Sequence, residues 1–408
     1  MADKEFKEEE EKQPGRVEFN FPLLTVRTQV FSGVFDRLGS FRSSRLISWF
    51  SLVVVPIVAA LGLYLLCSSL VTLLWTPVAR EATSELGLAS YLMLPGINPI
   101  LPIFYGWLSI VCAIVIHEGA HGIIARNRGL TVNSSGLLFF LIIPIGAFVD
   151  VDEKQIAKAK PRDSLRVMAA GIAGNIIVAI ACLIALLLIV NGLTPVVDGI
   201  YISSVTDGMP ADEAGLLPGD VFVSVDNVPV NNYVILNSSI AGKNSGDTVH
   251  VTVIRGEKFD EQFSTDVTLT EFENRTVMGV GLFDPASPVN YYLTLTPDSF
   301  YLYLLPPSLY SGIVPFSDSL IPFYTHPLGT YWHVYANILF WVWFVNVNVA
   351  VFNALPIYPM DGGRMLDISL KSIFGRKLSE KSISRITYTV TATIVFILLM
   401  IVVIPFVM

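Results

Sequence analysis

The stretch "CAIVIHEGAHGIIA" occupies residues 112–125 and decides how the rest of the chain is interpreted. It is almost wholly apolar, yet it carries His117, Glu118 and His121. Ionisable side chains at bilayer depth cost free energy, and where they occur inside a span they mark functional sites. The stretch therefore predicts a chemically active group of side chains within a membrane helix.

The composition of the whole chain agrees with a membrane location. Of its 408 residues, 53% are hydrophobic and only 15% are charged. Soluble domains carry about 25% charged residues. The composition thus predicts an integral membrane protein with some soluble mass, and the net charge of −8 offers no basic surface for nucleic acid.

Five stretches are apolar enough to cross a bilayer, which takes about 20 residues in a helix. They are residues 46–75, 97–125, 165–190, 331–355 and 386–407. Lysines and arginines cluster before the first span, after the second, before the third and between the last two. Because positively charged loops stay cytosolic, these clusters predict one common cytosolic side and place residues 194–285 on the opposite side.

A further apolar run, "GLLFFLIIPIGAFV" at 136–149, is too short to span and is interrupted by Pro144 and Gly146. Its length favours a re-entrant or interfacial element, and its β-branched and aromatic residues allow strands. Two interpretations stay open. The run is either a β element that faces substrate or a buried hairpin that packs against the spans.

These features together predict the fold class. It is a polytopic α-helical membrane protein with about five spans, a short membrane-embedded β element and an inserted small mixed α/β domain, whose strand-like runs are separated by turn residues. The predicted segments are an N-terminal cytosolic tail (1–45), a first membrane core (46–192), an extracytosolic domain (194–285), an aromatic and proline-rich interfacial linker (286–330) and a second membrane core (331–408).

The spacing of the two histidines predicts a metal site. His117 and His121 are four residues apart, so their imidazoles share one face of a helix. Two ring nitrogens can then reach a single zinc ion, and Glu118 beside them can act as a general base toward water. The alternative is a pair of core histidines with a chance glutamate, which the cost of burying three such groups in lipid disfavours.

A metal held by two histidines needs another ligand. Three histidines lie in the soluble domain or beside aromatic belts, in surroundings that suit ordinary polar residues: His250, His326 and His333. Three acidic residues follow the short apolar run in what we expect to be a solvated loop: Asp150, Asp152 and Glu153. Asp361 is the better candidate, because prolines and glycines in "NALPIYPMDGG" (353–363) break the helix and can turn its carboxylate inward. The alternative is a solvated aspartate in a loop that ends the helix.

The motifs "HEGAH" (117–121) and "NALPIYPMDGG" (353–363), in this order and both in apolar context, resemble those of the site-2 protease family of intramembrane zinc metalloproteases. The resemblance implies one Zn²⁺ per chain with His117, His121 and Asp361 as ligands and Glu118 as the catalytic acid and base. It also makes Asn175, in "GIAGN" (171–175), and Asn353 candidates to orient substrate or stabilise an oxyanion. For both asparagines, hydrogen bonding between helices is the alternative role.

Within the soluble insert, "GMPADEAGLLPGDVFVSVDNVPV" (208–230) resembles a PDZ domain, a module that binds peptides by adding a strand to a sheet edge. The resemblance to the site-2 protease family, in turn, implies hydrolysis of peptide bonds within the transmembrane segments of single-pass membrane proteins. It implies regulated intramembrane proteolysis, in which a site-1-type protease trims the substrate first. It also places the zinc site near the cytosolic side and the PDZ-like domain outside.

Two other classes of protein are consistent with parts of the sequence. One is a non-catalytic membrane scaffold or chaperone whose PDZ-like domain binds partners, although a scaffold has no need for Glu118. The other is a metal transporter that uses the same cluster, although no internal repeat of the kind common in transporters is visible.

Overall fold

The structure is a computed structural model that describes residues 17–141, 143–256, 259–294 and 296–408. The charged start of the predicted tail, before residue 17, lies outside the described residues. The chain separates into two compact units, one formed by the residues up to 183 together with 340–408, and the other by residues 184–339.

Thirteen α-helices are present in the described part of the chain. They are α1 (Ser32–Ser40), α2 (Arg42–Trp75), α3 (Pro77–Leu86), α4 (Ile103–Asn127), α5 (Glu153–Lys158), α6 (Pro161–Asn191), α7 (Pro210–Glu213), α8 (Tyr233–Ile240), α9 (Ala286–Leu293), α10 (Pro297–Leu304), α11 (Trp332–Ala354), α12 (Asp361–Phe374) and α13 (Glu380–Val407). Five of them, α2, α4, α6, α11 and α13, are long and apolar enough to cross a membrane. This confirms the prediction of about five spans in a multi-pass membrane protein.

The ends of the spans differ from the predicted ones for local reasons. Helix α4 begins at Ile103 rather than at 97, directly after the extended Pro102. Prolines at 99 and 102 account for this start, because a residue that precedes proline disfavours helical backbone. Helix α13 begins earlier than predicted, at Glu380, because the Ser379 side chain accepts a hydrogen bond from the Ser382 N–H and caps the helix.

The strands form two larger sheets and two short pairs. They are β1 (Val17–Asn20), β2 (Leu23–Thr28), β3 (Val132–Phe140), β4 (Ile143–Val151), β5 (Thr194–Pro195), β6 (Tyr201–Val205), β7 (Val221–Val225), β8 (Val228–Pro229), β9 (Thr248–Arg255), β10 (Glu261–Thr268), β11 (Thr270–Phe272), β12 (Arg275–Val277), β13 (Val280–Phe283) and β14 (Tyr324–Thr325). The first sheet has the order β1-β2-β3-β4, so β4 is one of its edges. The short apolar run of the sequence supplies most of the β3–β4 hairpin.

The sequence predicts that residues 17–28 belong to a tail, whereas the structure pairs β2 with the hairpin. Strand β2 runs antiparallel to β3 from Leu23 opposite Phe140 to Thr28 opposite Ser135. The two strands are more than 100 residues apart in sequence. Pairing at such a separation leaves no local pattern, which is why hydropathy and charge gave no sign of it.

Gly136 in β3 lies where the sheet is most crowded. A Cβ there would overlap the carbonyl oxygen of Val26 and come within 2.6 Å of the Phe148 ring. The missing side chain lets Phe148 cover the glycine, and the Arg27 guanidinium lies 4.9 Å from the centroid of that ring. Covering a strand glycine with an aromatic ring restores apolar contact where the glycine offers none.

Small residues bring the membrane helices together around α6. Ala169 and Ile172 of α6 pack in one buried cluster with Ala350 and Ala354 of α11 and with residues of α2. Gly174 approaches α4 so closely that a Cβ would lie 2.9 Å from the Cβ of Ala120. Close approach of this kind is how helices associate in lipid, where the hydrophobic effect provides no attraction between them.

The second unit contains the mixed α/β domain predicted from the sequence. Its sheet has the order β10-β9-β7-β6-β13, with β8 paired to β7. Residues from these strands and from α7 and α8 share one apolar core, which includes Ile202, Leu216, Phe222, Leu236 and Val253. The strands therefore bury one face against two short helices, as expected for a small independent domain.

Residues 286–330, which the sequence predicts to be an interfacial linker, contain a small core of aromatic side chains. Tyr292, Tyr303 and Phe316 are fully buried, with the Tyr292 ring centroid 4.9 Å from that of Tyr303 and 5.5 Å from that of Phe316. The Tyr303 hydroxyl donates to the carbonyl of Tyr292. Three of the aromatic residues in this segment thus pack on one another.

We expect Gly136→Ala to destabilise the four-stranded sheet by about 1–3 kcal/mol, because the new methyl group would collide with the backbone of β2. The matched control is Gly146→Ala in β4. There the nearest atom to an added Cβ is the Cβ of Leu138, which is 3.8 Å away. Thermal unfolding of both variants in detergent measures the difference. Equal melting temperatures would show that the crowding at Gly136 is relieved without cost.

Candidate metal centre

Helix α4 presents His117 and His121 on one face, one turn apart. Their Nε2 atoms are 3.2 Å apart, and the two residues are only 7% and 8% exposed. Gly171 of α6 lies against both rings, since a Cβ there would be 2.5 Å from Nε2 of His121 and 2.7 Å from Nε2 of His117. A glycine is therefore required at this point of α6 for the two imidazoles to converge.

Asp361 reaches the same point from the other end of the chain. It is the first residue of α12, after the proline-containing segment that follows α11. Its Oδ2 lies 3.0 Å from Nε2 of His117 and 3.2 Å from Nε2 of His121. Gly362 and Gly363 permit this turn, because a Cβ on either residue would overlap backbone atoms of the segment 354–358.

The chemistry of these three side chains fits a zinc ion. Their ligand atoms all lie within 4.8 Å of one another. His121 Nδ1 is 2.7 Å from the carbonyl oxygen of Val167, and donating a proton there leaves the lone pair of Nε2 free to bind a metal. Two imidazoles and one carboxylate are a ligand set that catalytic zinc sites use, with a further position left open.

The two neighbouring imidazoles favour the ionised form of Asp361. Burial opposes its ionisation, but the neighbouring His121 and His117 outweigh burial and hold the pKa of the carboxyl below its ordinary value. The Nδ1 of His117 is buried and has no hydrogen-bond partner among the described residues. Of the two imidazoles, His121 is thus the one whose orientation a backbone contact fixes.

Glu118 lies beside the three ligand atoms but takes part in a different contact. Its Oε2 accepts a hydrogen bond of 3.0 Å from the backbone N–H of Val149. Val149 belongs to β4, so the outer edge of the four-stranded sheet faces the carboxylate. The backbone of Val149 could not have been found from the sequence, because a main-chain donor leaves no residue signature.

A cavity of 360 Å³ contains the centre. Its lining includes the predicted site residues His117, Glu118, His121, Asn353 and Asp361. Asn353 Nδ2 donates to the carbonyl of Val349, one turn earlier on α11. Asn175 is not among the lining residues. It is fully buried on α6, and its side-chain amide has no partner in the part of the chain that the structure describes.

Charged residues that the sequence did not assign to the site also line the cavity. Asp150 and Glu153, which we expected in a solvated loop, are among them, and so is Arg364. The guanidinium of Arg364 lies 3.9 Å from the Glu153 carboxylate. Asp152 is different, because its side chain caps α5 by accepting from the N–H of Gln155. The lining of the cavity thus carries charged side chains beyond those predicted from the sequence.

The remaining histidines take no part in this centre. His250, His326 and His333 all belong to the unit of residues 184–339. His250 Nδ1 is 2.8 Å from a carboxylate oxygen of Asp266, and His326 Nδ1 accepts from the N–H of Leu328. Their contacts are those of ordinary polar side chains.

Apolar spanning helices around a buried His-His-Asp centre with an adjacent glutamate define a class of membrane-embedded metal proteins. Within that class the chain belongs to peptidase family M50, whose sequence signature matches residues 105–398. This confirms the resemblance to the site-2 protease family. The matched region includes all six of the predicted site residues.

Two relatives illustrate the similarity. The "Probable membrane metalloprotease ARASP2, chloroplastic" of Arabidopsis thaliana is 27% identical over 201 residues, which cover 41% of this chain and 45% of that protein. The "Putative zinc metalloprotease SAR1238" of Staphylococcus aureus is 23% identical over 252 residues, which cover 56% of each. The alignments thus span about half the length of these relatives.

A solved PDZ-domain structure matches about a fifth of the chain. The PDZ domain of an SdrC-like protein from Listeria monocytogenes is 28% identical, with coverage of 21% of this chain and 88% of that domain. The TM-score of the match is 0.19.

We expect Gly171→Ala to lower the zinc content of the purified protein severalfold, because the added methyl group would push both imidazoles apart. Gly119→Ala on α4 is the matched control, since a Cβ there meets nothing within 4 Å. Elemental analysis after dialysis against a weak chelator gives the metal per chain. Full zinc occupancy in Gly171→Ala would show that the centre can widen without losing its ligand geometry.

Proposed function

We propose that this protein is an intramembrane zinc metalloprotease that hydrolyses peptide bonds within transmembrane segments of other membrane proteins. The observation that carries the proposal is the convergence of His117, His121 and Asp361 beside Glu118, in one cavity on a helix apolar enough to span a bilayer. Membership of a peptidase family, and relatives named as membrane and zinc metalloproteases, support it.

His117, His121 and Asp361 would hold one Zn²⁺ per chain, which supplies Lewis-acid polarisation of water and of the scissile carbonyl. Glu118 takes the proton from the attacking water and returns it to the leaving amine. The N–H of Val149 holds the Glu118 carboxylate in position for that transfer. Asn353 lies within the same cavity and is the asparagine that we propose to contact substrate. We assign Asn175 to helix packing, because it does not line that cavity.

The edge of β4 offers a way to bind an unwound substrate. A peptide bond within a helix is shielded, so the substrate must unwind, and its freed backbone groups then need partners in the membrane. Val149 turns its N–H away from β3 and toward Glu118. Because strand backbones alternate in direction, Ala147 presents its N–H and carbonyl on the same free edge. A substrate strand paired there lies beside the catalytic carboxylate.

The membrane placement and the partners are part of the same proposal. The distribution of lysine and arginine supports a zinc site near the cytosolic side and an extracytosolic PDZ-like domain. Single-pass membrane proteins are the substrates that we propose, after an upstream site-1-type protease has trimmed them. The PDZ-like domain would bind the trimmed end or exclude bulky substrates, and the reaction would release a signalling fragment.

The alternative is a non-catalytic membrane scaffold or chaperone that uses the PDZ-like domain to bind partners. A scaffold needs neither a polar cavity around three ligand atoms nor a carboxylate held by a backbone N–H. The burial of these groups in an apolar bundle therefore favours catalysis over a purely structural role.

We expect Glu118→Gln to lower cleavage of a single-pass membrane substrate in liposomes by about 10²–10⁴-fold, because the proton acceptor is lost. Its zinc content should stay at the wild-type level, since Glu118 is not one of the three ligands. Asp361→Asn should lose both cleavage and metal. Gel analysis of the products and elemental analysis of the same samples make the two measurements.

Cleavage by Glu118→Gln at the wild-type rate would contradict the protease mechanism and move the scaffold hypothesis to the front. A zinc chelator that abolishes cleavage by the wild type, with recovery on adding zinc, would separate loss of metal from loss of fold.

We expect Ala147→Pro to reduce cleavage at least tenfold, because proline removes the outward N–H without touching the bonds to β3. Ala147→Ser keeps that N–H and is the matched control. Both should bind zinc as the wild type does. Equal cleavage by the two variants would show that substrate does not pair with this edge of the sheet.

A further inference from the structure

A group of arginines lies where the starts of α2 and α6 meet the end of α4. Arg162 and Arg166 of α6 both stack on the indole of Trp49 in α2, with guanidinium carbons 3.9 Å and 4.2 Å from the ring centroid. Arg128, which follows the last residue of α4, donates to the Ser48 hydroxyl at 2.6 Å. We call these three arginines and Arg45 the arginine cluster.

Positive charge in the arginine cluster is only partly balanced. Asp163 lies 3.6 Å from Arg128 and 3.2 Å from Arg166. Among the residues that the structure describes, no other carboxylate lies within 4 Å of an arginine of the cluster. Burial and the like charge of Arg166 lower the pKa of Arg128, and Arg45 and Arg162 act in the same direction. Four cations around one carboxylate leave room for an anionic ligand.

Two further observations point to an anion. Arg166 is 96% buried, and its Nε, like that of Arg128, has no hydrogen-bond partner among the described residues. Helix α2 begins without a side-chain cap and without an acidic residue in its first turn. Its free N–H groups and its dipole therefore add to the positive potential beside Arg45.

The surface beside the arginine cluster is apolar and exposed. Along α2, Trp49, Val53 and Ile57 follow Arg45 at intervals of four residues, which puts them on one side of the helix. They are 44%, 63% and 63% exposed. A ligand with a phosphate at the cluster and hydrocarbon chains along this side of α2 satisfies both parts of the surface. Free phosphate satisfies only the first.

We propose that the arginine cluster binds the headgroup of an anionic glycerophospholipid, with its acyl chains lying along the exposed side of α2. Arg45 and Arg162 are exposed and contact the phosphate directly, while Trp49 holds the Arg162 guanidinium in place. Basic pockets between membrane helices are known to select anionic lipids in this way. The site is separate from the cavity that contains His117 and Asp361, and it does not depend on the proposed protease activity.

Native mass spectrometry of the delipidated full-length protein tests the proposal, with phosphatidylglycerol and phosphatidylcholine of identical chains as probes. We expect one phosphatidylglycerol to bind well above the level of phosphatidylcholine. The double variant Arg45→Gln/Arg162→Gln should weaken that binding about 25-fold, from roughly fivefold for each surface arginine. Melting temperatures in phosphatidylcholine micelles show whether the variant is folded.

The matched control is Arg376→Gln/Lys377→Gln, which removes the same charge from exposed residues after α12. We expect it to bind phosphatidylglycerol like the wild type. An equal loss in the control would overturn the proposal in favour of diffuse attraction between the membrane and the whole basic surface. Equal binding of the two lipids by the wild type, or displacement of phosphatidylglycerol by millimolar inorganic phosphate, would also overturn it.

Discussion

The cost of burying ionisable side chains in an apolar helical bundle is the constraint on which this structure depends. His117 and His121 are buried and Asp361 is partly buried, and the shortest distances between their ligand atoms are 3.0–3.2 Å. Such a group persists in an apolar surrounding only if its members balance one another or share a cation. The backbone carbonyl of Val167 and the backbone N–H of Val149 extend the same network to the second imidazole and to Glu118.

Bringing these side chains together places demands on residues that carry no charge. Gly171 makes room for both imidazoles, and Gly174 allows α6 to approach α4 one turn further on. Gly362 and Gly363 let the chain turn tightly enough for Asp361 to begin α12 beside the histidines. The chemistry of the centre thus explains the glycines of "GIAGN" and "PMDGG" better than any local preference for turns, since each one prevents a collision of under 3 Å.

Hydropathy and motif spacing were enough to predict the five spans and the four residues His117, Glu118, His121 and Asp361, which the structure brings into one cavity. Hydropathy and motif spacing are both properties of one short segment or of one helix face.

The pairing of residues 17–28 with β3 was missed, because it joins distant segments and leaves no periodic trace. Main-chain contacts of Val149 and Val167 were equally invisible. Asn175 shared a motif with Gly171, yet it lies one turn further along α6 and does not line the cavity.

Helix α6 links the two places where charge enters the membrane core. Arg166 stacks on Trp49 in the arginine cluster, and the next residue, Val167, accepts the hydrogen bond that orients His121. Consecutive residues of a helix move together, because their peptide groups are fixed by the same ladder of hydrogen bonds. Two sets of contacts therefore fix the first turns of α6. The arginine cluster acts at the start of the helix, and His121 bonds to the carbonyl of Val167, one residue after Arg166.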